Sequence, residues 1–518
     1  MMVYYMRKED FMWTDKSRQC VRSKGMGAIL ALCLTATLGL GNIAGAATPA
    51  LTDVSVTDAV EDELVLDTAV RSSRIDVETN DGIVTLDGVV DNILEKDRAT
   101  KIAKGVKGVR AVVNQIEVVP PVLLSDNELS KDIKDALLTD PATESYEIDV
   151  SVKDNAVTLT GKVDSWQEKQ LAEKVVKGVS GVTAVENRIR IDYETTRADL
   201  EIKEEIEQAL RWDTLVDHFL IEVKVEDGSV SLSGTVGSVS EKTEAVFDAW
   251  VTGVSSVDAS DLEVKTWARD ADLRQDKYVV KSEEALEEAI QDALLYDPRV
   301  SFFNITVEVT DSEATLRGRV NNLKAKHAAE QAAKNTVGVG FVDNRIKVRP
   351  ALHLSDSEIK DDVEDSLSRN PYVEKYEIDS MVTNGIVYLS GYVDTYFEKA
   401  RAENVVSKVP GVIEVENNIT VDDVLPPTYD PYLDDYDYGY YEYGPGGYPA
   451  KTDNQILKDI RDELFWSPFV DADSIKVSVE DGVATLKGDV ASWSEYHSAV
   501  ENAYEGGSIW VRNKLEIE

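Results

Sequence analysis

The chain has 518 residues, 97 acidic against 55 basic, and a formal net charge of −42. Binding nucleic-acid phosphates takes clustered Lys and Arg, so this acidic excess argues against DNA or RNA as a partner. It also argues against simple electrostatic adsorption to anionic lipid.

In chain order, residues 1–46 stand apart from the rest. Arg18, Arg22 and Lys24 precede the uncharged run "GMGAILALCLTATLGLGNIAGA", which ends on Ala44-Gly45-Ala46. A basic flank, a short apolar stretch and an A-x-A motif predict a cleavable secretory signal peptide over 1–46. Both cysteines, Cys20 and Cys33, lie inside it. Leu32 stands where a lipid-anchoring signal would carry a small residue. Export without disulfides fits a periplasmic location. Removing the leader's net +3 leaves a mature charge of about −45, a strongly solvated surface.

From residue 52 a phrase recurs. "DGIVTLDG" at 81 returns as "DNAVTLTG", "DGSVSLSG", "DSEATLRG", "NGIVYLSG" and "DGVATLKG". The closing glycines Gly88, Gly161, Gly234, Gly318, Gly391 and Gly488 are separated by 73, 73, 84, 73 and 97 residues. Such self-similarity predicts six copies of one unit.

Each unit opens with apolar residues at i, i+4 and i+8, as in Leu129, Ile133 and Leu137 or Ile456, Ile460 and Leu464. That is one stripe of an amphipathic helix. Ser125 with Glu128, Ser355 with Glu358 and Thr452 with Gln455 fit capping boxes at its start. Pro141, Pro298, Pro371 and Pro468, each twenty residues before the glycine, predict its end. Alternation follows, as in Ile148, Val150 and Val152, and predicts a half-buried strand. Asp-Gly or Asn-Gly then suits a tight hairpin turn with positive φ, and a second alternating strand runs to the glycine, which reads as its end. A second helix, a Gly-Val break with Gly108, Gly181 or Gly411 as helix cap, and a third strand complete the unit. The predicted fold class is α+β: a tandem array of six small domains, each helix-strand-strand-helix-strand with two helices packed on a three-stranded sheet.

The domains span 52–119, 125–192, 197–265, 282–349, 355–422 and 452–518. Residues 266–281 read as a linker. The Tyr/Pro/Gly/acidic stretch 423–451, which from residue 426 reads "PPTYDPYLDDYDYGYYEYGPGGYPAK", cannot build a packed core and reads as a second linker.

Little here suggests chemistry. The turn acids Asp81, Asp154, Asp227, Asp311 and Asp481 suit turns for backbone reasons, and Asn384 replaces them in one copy. His218, His327, His353 and His497 sit at unmatched offsets, so no metal spacing or catalytic dyad emerges. No catalytic, cofactor-binding or metal residues are assigned, and an enzyme is not expected. Ile93, Trp166, Val239, Leu323, Tyr396 and Trp493, five positions after the glycine, read as core or contacts between repeats. Aromatics gather at the end of the first helix: Trp212, Phe302, Phe303, Tyr372, and Phe465, Trp466 and Phe469. The last three are the candidate membrane or partner contact, since aromatic side chains suit a membrane interface; burial between repeats is the other reading.

The order of elements, the recurring glycine and the Gly-Val break resemble the BON domain, the module of OsmY-like periplasmic proteins. The resemblance covers six segments from about residue 52 to 518. It implies a non-enzymatic protein of the bacterial cell envelope that binds phospholipid or other envelope components and supports envelope integrity under osmotic stress. The alternative is a soluble periplasmic scaffold or cation-responsive sensor working through protein–protein contacts. Given the charge, contact with a membrane surface requires apolar insertion or divalent cation bridging. No cofactor is implied.

Overall fold

The computed structural model describes residues 51–517, apart from 141–147, 194–196, 270–280, 298, 301–303, 351–352, 374–376, 422–450, 468 and 481. The predicted signal peptide, the predicted second linker except Lys451, most of the predicted first linker, and Phe302 and Phe303 therefore lie outside the described residues.

The first helix occupies the same positions in all six units: Asp53–Leu66, Asp126–Thr139, Asp199–Trp212, Glu283–Tyr296, Asp356–Arg369 and Asp453–Trp466. The three expected capping boxes form, and Thr52 with Ser55 makes a fourth. Asn370, before Pro371, caps its helix in an extended conformation, φ −78° and ψ 130°, as a pre-proline residue must. Asp67 and Asp213 adopt the same extended cap with threonine after them. Proline thus suits this exit without being what creates it.

The hairpin turns carry the expected positive φ, for example 50° at Asp81 and 72° at Gly82. The repeated glycine is placed differently from the sequence reading. The second strand does not end there but runs two residues further, as in Ile83–Val90 and Ile386–Val393. The glycine faces the first residue of the first strand, Ile75, Ile148, Ile221, Ile305, Ile378 or Ile475. Its φ lies between 118° and 149° across the six copies. A side chain would collide with the carbonyl just before the first strand, that of Glu377 in the case of Gly391. The strand before it is what leaves no room.

Each sheet has the order first, second, third strand. The first two are antiparallel, and the third returns through the second helix to pair in parallel with the second, as such crossovers allow. In the third domain the last strand is bulged between Asp258 and Asp261, where the asparagine found in the other copies is missing.

From Pro49 onward the chain forms one compact unit. Its apolar clusters do not follow the domain list. The first and third domains share one cluster, and the fourth and fifth share another. The second has its own, into which Ile93 of the first domain inserts, and the sixth is separate.

Candidate functional site

The residues that recur at fixed offsets hold the fold. An acid begins every first helix, 35 positions before the glycine. The Asp53 carboxylate accepts the N–H groups of Asp81 and Gly82, both at 2.9 Å. Asp199 does the same for Asp227 and Gly228, and Asp356 for Asn384 and Gly385. The sequence reading missed this clamp, although the acid's sixfold recurrence was visible. Buried glutamates near the start of the second helix also serve the backbone: Glu241 accepts from Gly237 at 2.7 Å and from Asp217 at 2.8 Å. The asparagine after the break ties the third strand to the second helix, as where Asn187 donates to the Lys169 carbonyl and accepts from Ile189. Many carboxylates are thus occupied with backbone N–H groups.

The aromatic helix ends meet other domains. The Trp466 carbonyl accepts from the Lys107 N–H at 3.1 Å, Arg369 from Ser180 at 2.7 Å, and Trp212 from Val337 at 2.8 Å. Each acceptor lies 22 residues before its own glycine and each donor 19 after its own. One contact is therefore used three times, joining the sixth domain to the first, the fifth to the second, and the third to the fourth. Around the first of these, Phe465 lies under the Lys107 ammonium at 4.2 Å, the Phe469 ring faces Gly105, and Trp466 packs on the cluster of the first and third domains. All three aromatics are half-buried.

The positions five after the glycine also join domains. Trp166 stacks on Trp250 with ring centroids 5.3 Å apart, and Lys334 of the fourth domain sits 4.5 Å over Trp493 of the sixth. Tyr193 donates to the Val254 carbonyl, and burial pushes its hydroxyl up to about 12. At the seam of the first and sixth domains, burial raises the carboxyls of Glu63, Glu463 and Glu505, and repulsion adds to it, from Glu505 on Glu63 and Glu463 and from Asp67 on Glu505. Glu463 reaches about 8, and Glu505 about 7.

A cavity of about 1120 Å³ opens between the first five domains. On its wall the carboxylates of Asp213, Glu244 and Asp248 offer oxygens within 4.8 Å of one another, the one such trio among the described residues. A hard divalent cation takes oxygen ligands of this kind. The histidines are not part of it: burial holds His327 down at about 4 and His497 at about 3. No helix among the described residues is long and apolar enough to cross a membrane.

The BON domain family matches residues 52–120, 125–193, 198–266, 282–350, 355–423 and 452–515. The chain belongs to the BON-domain family. Its relatives include Osmotically-inducible protein Y of Escherichia coli, 33% identical over 144 residues, which are 27% of this chain and 72% of that protein. The outer membrane lipoprotein DolP of Haemophilus influenzae is 29% identical over 174 residues, 31% of this chain and 90% of DolP. Among solved structures, the C-terminal domain of CdsD, a structural protein of the type III secretion system of Chlamydia trachomatis, matches whole over 44% of this chain, with 18% identity and a TM-score of 0.12. That likeness carries no argument. The BON membership gives the docking contacts a simple description: the end of the first helix in one BON domain lies against the end of the second helix in another.

Proposed function

We propose that this BON-domain protein is a non-enzymatic binding protein of the bacterial cell envelope, exported by cleavage after Ala46, which holds phospholipid surfaces or envelope components together. Its relation to an outer membrane lipoprotein and to an osmotically inducible protein supports the location. The observation that carries the reading is the thrice-repeated docking contact, which together with the clusters shared by the first and third and by the fourth and fifth domains makes six binding modules into one multivalent body. Phe465, Trp466 and Phe469 are the proposed partner contact. Their partner in the structure is the first domain, so lipid reaches them only when the sixth domain leaves it. With a mature charge of about −45, binding to anionic lipid is expected to need Mg²⁺ bridging or apolar insertion. Co-sedimentation of the mature chain with phosphatidylglycerol vesicles, with and without Mg²⁺, tests this. Sedimentation that rises with Mg²⁺ supports lipid binding. Its absence under every ionic condition leaves the scaffold reading, which the covered aromatics favour.

A further inference from the structure

The lining that the first, second and fifth domains give the interdomain cavity, taken as one wall, differs in charge from the lining that the third and fourth give, taken as the other. From the first, second and fifth domains the cavity is lined by seven basic and three acidic side chains, and from the third and fourth by three basic and eight acidic. In a chain with 97 acids to 55 bases, a basic wall runs against composition.

Much of the charge on both walls is already matched. Arg197 pairs with Glu205, and Arg299 with Asp297. Lys177 bridges Asp97 and Glu173 at 2.8 and 2.9 Å, engaging two of the basic wall's three acids. Lys101 and Lys104 differ. They stand one helical turn apart on Ile93–Gly105, both half-buried, and neither has an ion-pair or hydrogen-bond partner among the described residues. Burial first, and then the charge of Lys101, hold the Lys104 ammonium below the ordinary amine range against the opposing pull of Asp97, a carboxylate that Lys177 already engages.

A third group on this wall is also unsatisfied. The Tyr372 hydroxyl is shielded from solvent and has no hydrogen-bond partner among the described residues. Its ring meets Phe397 edge-on at 4.8 Å, and the Arg98 guanidinium lies 4.7 Å from the centre of the Phe397 ring. Buried polar groups are nearly always hydrogen-bonded, so an orphan beside a cavity marks a place for a ligand atom.

We propose that this wall binds a small organic phosphate ester, its phosphate held by Lys101 and Lys104 and an oxygen of its organic part accepting from the Tyr372 hydroxyl. Ammonium groups suit phosphate as point charges, and the hydroxyl supplies the neutral donor. The wall lies between domains, so the ligand is a soluble ester and not a headgroup still held in a bilayer. The inference does not depend on the lipid-binding reading above.

Calorimetric titration of the full chain at low salt tests it, with inorganic phosphate and glycerol 3-phosphate as probes. Both should bind, the ester more tightly. Lys101→Gln with Lys104→Gln should weaken both at least tenfold, and the matching pair of Arg substitutions should retain binding. Tyr372→Phe should weaken only the ester, by a few-fold. Lys476→Gln, on an exposed strand of the sixth domain, should change nothing. Phosphatidylglycerol vesicles should leave the titration unaltered. Lack of binding by either probe overturns the site, as does equal binding by the double Gln variant or an equal loss in Lys476→Gln. Competition by vesicles overturns the assignment to a soluble ester.

Discussion

Gly391→Ala should unfold more than the domain that contains it. At Gly391 φ is +135°, and an added methyl group would run into the Glu377 carbonyl oxygen. Holding a non-glycine residue in that region costs about 1–3 kcal/mol. Relieving the overlap means parting the strands where Tyr392 N–H donates to the same carbonyl at 3.2 Å, a further loss of about 0.5–1.5 kcal/mol. The sum is about 1.5–4.5 kcal/mol. A unit of about 70 residues has about 3–10 kcal/mol in hand at 0.05–0.15 per residue, so the fifth domain should sit near its unfolding threshold. Because its core is one cluster with that of the fourth, from Leu286 through Ile419, the fourth should loosen with it. Hydrogen exchange read by mass spectrometry on peptides from each domain resolves this. Exchange should accelerate across the fourth and fifth domains, while the cores of the second and sixth keep their protection. Acceleration confined to the fifth, or spread evenly over all six, refutes the shared-core argument. Gly161→Val is the contrasting case, since the second domain has a cluster largely its own, and its effect should stay local.

The triple change Phe465→Ser, Trp466→Ser and Phe469→Ser should expose the Gly105 and Lys107 region to exchange and proteolysis while the first domain stays folded. These side chains are half-buried, so the loss is a fraction of the about 1.5–3 kcal/mol for each that full burial would give. The seam of the first and sixth domains should also weaken with rising pH. Glu463 and Glu505 are raised to about 8 and about 7, with Glu63, Asp62, Asp67, Asp459 and Asp462 as acidic neighbours. A raised carboxyl favours the protonated folded form, so this stabilisation is complete below the ordinary glutamate range, near 4.3, and is lost as pH climbs through about 7 to 8. The urea midpoint of the sixth domain should fall between pH 6 and pH 9, and Glu463→Gln with Glu505→Gln should flatten that fall. Asp356→Ala removes a carboxylate that holds two turn N–H groups at 2.9 and 3.0 Å. It should cost about 1–2 kcal/mol, at the low end for a charged acceptor because the site is partly exposed, and a lower melting temperature of the fifth domain measures it.

The local architecture was legible because its signals are local. Apolar spacing marks every first helix, and Asp-Gly or Asn-Gly marks the hairpin. The function of the repeated glycine was not legible, because what excludes a side chain is the end of a neighbouring strand and not anything adjacent in sequence. Phe465, Trp466 and Phe469 show the same limit for the candidate site. An aromatic patch suited to a membrane and one suited to a neighbouring domain have the same composition, and only the position of Lys107 and Gly105 tells which surface lies against it. Lys101 and Lys104 look like ordinary helix-surface lysines until four other domains enclose a cavity beside them. The clamp from Asp53 to its hairpin is hidden differently: an acid in the first turn of a helix already has a reason to be there, so the sequence alone does not reveal its second use.

The shared cluster of the first and third domains has a consequence for synthesis. A chain emerging from its N-terminal end presents the first domain well before the third has been made. Val60 and Leu86 can be buried within their own unit at once, but the second helix, which packs on the second helix of the third domain, must wait until about 150 further residues have appeared. During that interval the first domain carries an uncovered apolar surface. A nascent chain halted after the second domain should therefore be the aggregation-prone species, and one halted after the third should not.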